Sequence, residues 1–328
     1  MRILAVSNDF PTLQRPFSGV FIEQQIQGLK QIGLNVAVLS VDRARRGMQV
    51  YLDVGRLTRA AILEFKPDIV HVMYGGVMAD RVTRVVKDRP TVVTFHGSDL
   101  LGEHLTGRVR QLIAGYGVWA SWRAARRASG IIAVSKALRD ALPADVDRAK
   151  IRIIPCGIDL ERFKPLNRDA CRQELGWDSD RFHVVFPTNG GDPVKRFDLA
   201  QAAVHRFSHL GIKTELHQLR GIANTLVPVW LNASDVLLLT SLHEGSPTVV
   251  KEALACNVPV ISVDVGDVRE RISGIAGCYL AFPNPNDLAA KLSLVHSGTR
   301  RVSGRVKMQE LSLERVALQL RSVYDELV

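Results

Sequence analysis

At 328 residues, 46% hydrophobic and 23% charged, the chain has enough apolar material for two ordinary cores, and it shows neither a disorder signature nor an internal repeat. Its net charge of +10 attracts anions, but the basic residues are scattered without an aromatic-rich motif or zinc spacing, which disfavours nucleic acid relative to acidic lipid or a phosphorylated substrate. Cys156, Cys171, Cys256 and Cys278 form no Cys-x-x-Cys pair, so a zinc site or disulfide framework is not expected and a reducing cytoplasm fits. The apolar opening MRILAVSNDF is broken at Asn8, Asp9 and Pro11, too early for a secretory h-region, and no run approaches the ~20 apolar residues that span a bilayer.

Residues 2–7 read as a buried strand. The loop NDFPTLQRPFSGVF follows, with Gly19 ahead of an apolar-periodic helix over 21–32 that Gly33 caps, and a strand over 35–41 completes a β-α-β unit. Gly19 serves either a plain turn or a close backbone approach to a ligand. A helix over 57–65 is broken by Pro67 before a strand over 69–73, after which come Tyr74, Gly75 and Gly76. Residues 91–95 form another strand, ending in His96, Gly97, Ser98 and Asp99 at the edge where open α/β sheets place their ligands. A lone His such as His96 is more often structural than catalytic, and its titration near neutral pH suits either role. Residues 105–128 read as one helix, or two joined at Gly115/Gly117, with Leu105, Val109, Leu112, Ile113, Tyr116 and Trp119 at helical spacing. That stripe reads as core-facing. Trp122, Arg123, Arg126 and Arg127 make the helix end basic and amphipathic, a form that also suits lipid headgroups.

A strand over 131–134 and a helix over 136–142 capped by Ser135 lead to the segment IPCGIDLERFKP. Residues 167–180 are polar and a fresh apolar strand begins at 184, marking a second domain. TNGGDPVK, at 188–195, precedes a helix over 197–210 and reads as an ordinary connection or a phosphate loop, with Lys195 and Arg196 favouring the latter. A strand over 215–219 ends at Arg220 and Gly221, and a short helix over 227–233 follows.

The chain is organised around DVLLLTSLHEGSPTVVKEALACNVPVISVD, which reads as strand, loop, helix and strand. The nearly unbroken apolar run over 235–241 suits a parallel strand buried on both faces. Ser246 offers an N-cap hydroxyl and Pro247 suits the first helical position, so a helix is expected to start there and run through Ala255 until Asn257 and Pro259 end it. Glu244 then lies outside the helix mouth and Glu252 about a turn and a half inside, with free first-turn amides between them. A nucleotide-linked sugar needs such an arrangement: one carboxylate for sugar hydroxyls, one for ribose hydroxyls, and amides for the diphosphate. On spacing alone the two glutamates also fit a solvated helix face. Helices over 268–272, 287–295 with Asn286 as cap, and 312–327 complete the chain.

EGSPTVVKEALACNVPVISVDVGDV closely resembles the signature of the retaining, GT-B-fold glycosyltransferase family 4. Its pattern is Glu, seven residues, Glu, a Pro-Val strand and a Gly turn, here Glu244, Glu252, Pro259, Val260 and Gly266. FHGSD, IPCGIDLERFKP and the Lys195 loop resemble further family segments in the family's order. The resemblance implies an α/β GT-B fold of two Rossmann-like domains facing a central cleft: an N-terminal acceptor-side domain over 1–165, a C-terminal nucleotide-sugar-binding domain over 166–310, and a helix over 311–328 crossing back to the first domain. It implies hexosyl transfer with retention from a UDP- or GDP-sugar to a saccharide or lipid-linked saccharide, in cell-envelope or polysaccharide synthesis. No cofactor or metal is expected, because Lys side chains and helix amides stabilise the departing diphosphate and no Asp-x-Asp pair stands at a strand end.

In the roles that the resemblance implies, His96, Glu244 and Lys195 are catalytic. Gly19, Arg196, Arg220, Gly245, Ser246, Pro247, Thr248, Val249 and Glu252 bind the donor, and Tyr74, Gly75 and Asp99 lie on the acceptor side. The sequence departs from the family just before Lys195, where Asn189, Gly190, Gly191 and Asp192 stand without the usual Arg, leaving Arg196 or Arg220 as substitutes. The charge and the basic helix end suggest a cytoplasmic enzyme held peripherally on the inner membrane face through Trp119, Trp122, Arg123, Arg126 and Arg127. The competing readings are a sugar-nucleotide epimerase or phosphorylase on the same architecture, and a degenerate protein that binds nucleotide or glycan without catalysis.

Overall fold

The computed structural model describes residues 1–11, 18–41, 47–102, 107–188, 192–298 and 300–328. Most of the first loop, Arg43, Arg45, Arg46, Leu105, Asn189, Gly190 and Gly191 lie outside the described residues. Packing divides the chain into two units, Met1–Gly157 with Leu313–Val328, and Ile158–Ser312. The break falls before the boundary expected at 165, because Ile158 and Phe163 are buried in the core of the second unit.

The first unit is built on a parallel sheet of β1 (Arg2–Ser7), β2 (Asn35–Ser40), β3 (Ile69–Val72), β4 (Thr91–Phe95), β5 (Gly130–Ala133) and β6 (Ile151–Ile153), in the order β2-β1-β3-β4-β5-β6. Its central strands are continuous aliphatic runs because helices cover both faces. The order reverses between β1 and β3, which opens a crevice over their carboxyl ends. The terminal helix Leu313–Asp325 lays Val316, Leu320 and Tyr324 into one of these cores. There His71 of β3 is sandwiched, with Nδ1 2.6 Å from the Tyr324 hydroxyl and Nε2 2.7 Å from Thr94 Oγ1. Burial drives the His71 pKa down to about 3, so the imidazole is neutral.

The second unit has a parallel sheet of β7 (Phe182–Pro187), β8 (Thr214–Leu219), β9 (Val236–Leu239), β10 (Val260–Val263) and β11 (Tyr279–Ala281), in the order β11-β10-β9-β7-β8. The reversal falls between β7 and β9, so the loops after these two strands border the same crevice. The amino end of β9 is pinned by a buried ion pair: Arg172 donates to Asp235 at 2.7 Å and to the carbonyl of Ala233 at 2.9 Å, while Asp235 also accepts from the His183 amide.

Several elements differ from expectation. The helix Gly76–Val85 follows the Gly pair, where none was foreseen. The polar stretch over 167–180 contains the helix Arg168–Leu175, capped by the Asn167 side chain and ended by left-handed Gly176. The cap of the helix Pro285–Ser297 is Asn284, whose side chain accepts from the amides of Asn286 and Asp287, and not Asn286. The long helix runs unbroken as Arg108–Arg127, through Gly115 and Gly117. Its stripe of Val109, Leu112, Ile113, Tyr116 and Trp119 is exposed, Leu112 at 74%, where a core-facing stripe was expected. The helix instead packs on Gly76–Val85 and buries the small residues Ala120, Ser121, Ala124 and Ala125, which permit close approach.

Candidate active site

At the switch point of the second unit, the loop after β7 and the loop after β9 bring together the two residues expected to be catalytic there. Lys195 Nζ donates to Glu244 Oε1 at 2.6 Å, and Ser241 Oγ donates to the same oxygen at 2.6 Å. Both charged side chains are largely buried, with 18% and 15% of their surface exposed. The Lys195 loop is held by Thr240 at the end of β9, whose hydroxyl donates to the carbonyls of Lys195 and Arg196 at 2.9 Å, and by the Leu242 amide, which donates to the Val194 carbonyl. Asp192 accepts from the Val194 amide at 3.0 Å, a turn-forming bond that engages the carboxylate with its own backbone. Ser241 and Thr240 were missed in the sequence, where their position at the end of a buried strand was the available signal.

The helix after Glu244 is Thr248–Ala255, with Pro247 at its N-cap and no side-chain cap. The expected cap does not form, because the Ser246 hydroxyl is drawn into a buried chain: Lys251 Nζ donates to Ser246 Oγ and Ser246 donates to Asp267 Oδ2, each at 2.9 Å, and Arg271 pairs with Asp267. The first-turn amides of Thr248 and Val249 are therefore not satisfied by Ser246. Gly245 is buried against Gly266, whose φ of +58° and absent side chain allow close packing, since a Cβ there would lie 2.7 Å from the Gly245 carbonyl oxygen. Glu252 lies one helical stretch further on, half-buried, and desolvation raises its pKa to about 7 against the opposing pull of Arg162 and Lys251. Arg196 adopts a left-handed backbone conformation and its guanidinium pairs with Asp198, so it does not fill the place of the missing Arg in this state. Arg220 is exposed at the carboxyl end of β8.

The first unit assembles its own cluster. His96 stacks on Tyr74 with ring centroids 5.8 Å apart and lies 4.7 Å from the ring of Phe21, while its Nδ1 is 3.5 Å from Cys156 Sγ. The Tyr74 hydroxyl is 2.7 Å from Ser98 Oγ. Asp99, expected on the acceptor side, is buried and accepts from the amides of Gly75, His96 and Gly97 at 2.8–3.1 Å. It shapes the loop, and burial raises its pKa even though these amides favour the charged form. Gly75 is sterically required, since a Cβ would come 2.7 Å from Ser121 Oγ and 2.8 Å from the Phe95 ring. Gly19, at φ +63°, would place a Cβ 2.1 Å from the Asp9 carbonyl oxygen, so the close approach it permits is to its own loop.

Two family models match this chain: Glycosyltransferase Family 4 over residues 20–162, and Glycosyl transferases group 1 over residues 182–297. The chain belongs to glycosyltransferase family 4. Among relatives of this glycosyltransferase, a Bacillus subtilis (strain 168) protein named as a teichuronic acid biosynthesis glycosyltransferase, TuaC, is 27% identical, over 82% of each chain. The fold of the present chain is similar to that of sucrose-phosphate synthase from Thermosynechococcus elongatus, with a TM-score of 0.80 at 17% identity over 100% and 99% of the two chains. It is also similar to Anabaena HepE in complex with UDP-glucose, with a TM-score of 0.70 at 18% identity over 100% of both chains. The two parallel sheets make the glycosyltransferase a GT-B-like protein.

The membrane surface expected at the end of the long helix is not the one this glycosyltransferase presents. Arg127 and Arg123 both reach the buried Asp80, at 2.5 and 3.3 Å, Arg126 pairs with Asp145 at 2.7 Å, and Trp122 packs against the core. These charges are already met within the protein. Likewise, Arg305 donates to the carbonyls of Leu160, Phe163 and Ala255, holding the chain together. Among the described residues, no helix is long and apolar enough to cross a membrane.

Proposed function

We propose that this enzyme transfers a hexosyl group from a UDP- or GDP-sugar to a saccharide or lipid-linked saccharide acceptor, with retention of anomeric configuration and without a metal ion, in cell-envelope or polysaccharide synthesis. The observation that carries the reading is the meeting of Lys195 and Glu244 at the switch point between β7 and β9, where α/β sheets bind ligands. In this reading the second unit holds the donor: Lys195 moves onto the diphosphate, and Glu244, released, grips hydroxyls of the sugar. Gly245, Ser246, Pro247, Thr248 and Val249 form the backbone wall of the donor site, where the first-turn amides of Thr248–Ala255 add positive potential for the leaving group. Glu252 takes the ribose hydroxyls. The Tyr74 and His96 cluster of the first unit serves the acceptor side, with His96 as a polar contact to substrate. The names of TuaC, for teichuronic acid biosynthesis, and of HepE, with UDP-glucose, support the donor class and the pathway type.

Product analysis tests this reading. After incubation of chelator-treated enzyme with donor and saccharide acceptor, NMR of the new linkage is expected to show the donor's anomeric configuration. An inverted product, or activity that requires added Mg(II) or Mn(II) while the fold is intact, would overturn retention or metal independence respectively. We also place the enzyme on the anionic inner face of the membrane, attached through the exposed face of Val109, Leu112, Ile113, Tyr116 and Trp119 instead of the ion-paired basic end. Sedimentation with anionic vesicles should fall for Leu112→Glu combined with Ile113→Glu, and equal sedimentation of that variant would remove the assignment.

A further inference from the structure

A second cluster of ligating side chains stands at the other end of β7. His183 and Glu215 are register partners on β7 and edge strand β8, and His217 lies two residues beyond Glu215, so the strand period places all three on one face of the sheet. His183 Nδ1 and His217 Nε2 are 2.8 Å apart, and Glu215 Oε2 is 3.7 Å from the first and 3.6 Å from the second. The three donor atoms lie within 4.8 Å of one another. Tetrahedral ligands at ~2.0–2.1 Å from an ion are spaced by about 3.3 Å. The two His–Glu spacings are close to that, and the His–His spacing needs to open by only about half an ångström.

The surroundings orient the ligands. His183 Nε2 donates to the Asp178 carbonyl at 2.7 Å, which leaves Nδ1 as the acceptor nitrogen and is the outer bond that metal-ligating histidines commonly make. Arg181 holds the other oxygen of Glu215 at 3.2 Å, turning Oε2 toward the imidazoles. Trp177 stacks flat on His217, with centroids 3.6 Å apart and planes 6° from parallel. Because coordination occurs in the plane of the imidazole, stacking on its face fixes the ring and leaves the nitrogen lone pair accessible. Burial lowers the pKa of both histidines, His217 to about 4, so both are neutral at pH 7.

We propose that His183, Glu215 and His217 bind a borderline divalent ion of the Zn(II) class, with water completing the coordination, and that the ion clamps edge strand β8 to β7. Two imidazole nitrogens and one carboxylate oxygen are a donor set suited to such ions. On binding, the hydrogen bond between the imidazoles is replaced by coordination. The His217 Nε2 proton is lost and Nδ1 takes one up, so His217 stays neutral and changes tautomer. His183 precedes Pro187 by four residues, about 13 Å along the strand, which sets this clamp apart from the Lys195 loop. Its consequence is stability of the second unit, independent of the transfer reaction proposed above.

The test uses tag-free, chelator-stripped full chain. Titration with Zn(II) alone, by calorimetry and by tryptophan fluorescence, is expected to show one strong site and a melting temperature that rises with Zn(II) and falls back with chelator. His217→Ala, and Glu215→Gln as a variant that preserves shape, should each weaken binding by at least about tenfold. Replacement of the exposed helical pair His205 and His209 by Ala should leave the strong site intact, since those imidazoles, 3.2 Å apart, are the nearest rival in kind. Absence of strong Zn(II) binding by the wild type, equal binding by Glu215→Gln and wild type, or loss of the strong site in the His205/His209 variant would each overturn the assignment.

Discussion

Glu244 and Lys195 pair with one another at 2.6 Å, and in the proposed mechanism donor binding separates them. At 2.6 Å the gross attraction is ~6 kcal/mol at an effective dielectric of 20 and ~1.6 kcal/mol in bulk water. The partial burial of both side chains puts the pair between these limits, and desolvation and ordering reduce it to the ~1.5–3 kcal/mol typical of a charge-assisted hydrogen bond. Glu244→Gln keeps a carbonyl oxygen that can accept from Lys195 but removes the carboxylate charge, leaving a bond ionic on the lysine side alone, at the lower end of that range, ~1.5 kcal/mol. Up to about 1.5 kcal/mol of competition is thereby lifted. Free UDP or GDP, whichever the wild type binds, should bind Glu244→Gln more tightly, by up to about tenfold, while transfer slows because the neutral amide grips the sugar less well. Calorimetric titration measures the first effect and steady-state turnover the second, with circular dichroism to confirm folding. Unchanged or weaker nucleotide binding in a folded Glu244→Gln variant would refute the competition between carboxylate and diphosphate for Lys195.

Further outcomes follow from the packing around this site and the terminal helix. Gly266→Ala should impair transfer more than it lowers the melting temperature, because the added Cβ meets the Gly245 carbonyl at 2.7 Å and shifts the Glu244 loop; full activity would show that the loop tolerates the shift. Tyr324→Phe should lose ~1–3 kcal/mol in chemical denaturation by removing a hydrogen-bond partner of buried His71, and a stability equal to wild type would contradict that cost. His71 itself stays neutral in the fold, so its contribution is fully present above pH ~6.5 and is lost as pH falls toward about 3. Glu252 has the opposite sign: its raised pKa favours the proton-bound fold, so stability declines as pH rises from ~4.5 through about 7, a trend that Glu252→Gln should flatten. Donor affinity should instead rise across pH 7 as the carboxylate ionises, and a donor-binding profile identical in Glu252→Gln would exclude that role.

Much of the architecture was legible because parallel strands buried on both faces leave continuous aliphatic runs, as at Val236–Leu239 and Thr91–Phe95. The Glu244 to Gly266 segment was equally legible, since strand end, loop and helix are local in sequence. What the sequence concealed depends on partners remote in the chain. Ser246 has the chemistry of an N-cap, but Asp267 and Lys251 take its hydroxyl. Periodicity found the Val109 to Trp119 stripe without revealing that Ala120 and Ala124 would make the buried face. Asp80 lies on a helix that went unrecognised, so nothing indicated that Arg123 and Arg127 were already paired. His71 and Tyr324, 253 residues apart, meet only after the terminal helix returns to the first unit.

The account turns on Lys195 as the group that stabilises the departing diphosphate, and release of nucleoside diphosphate from a panel of UDP- and GDP-hexoses, with and without saccharide and lipid-linked acceptors, measures it directly. Wild-type enzyme is expected to turn over at least one donor in an acceptor-dependent manner, and Lys195→Ala to lower kcat by about a hundredfold, equivalent to ~3 kcal/mol of transition-state stabilisation. No turnover of any donor by the wild type, or an undiminished kcat in Lys195→Ala, would contradict it.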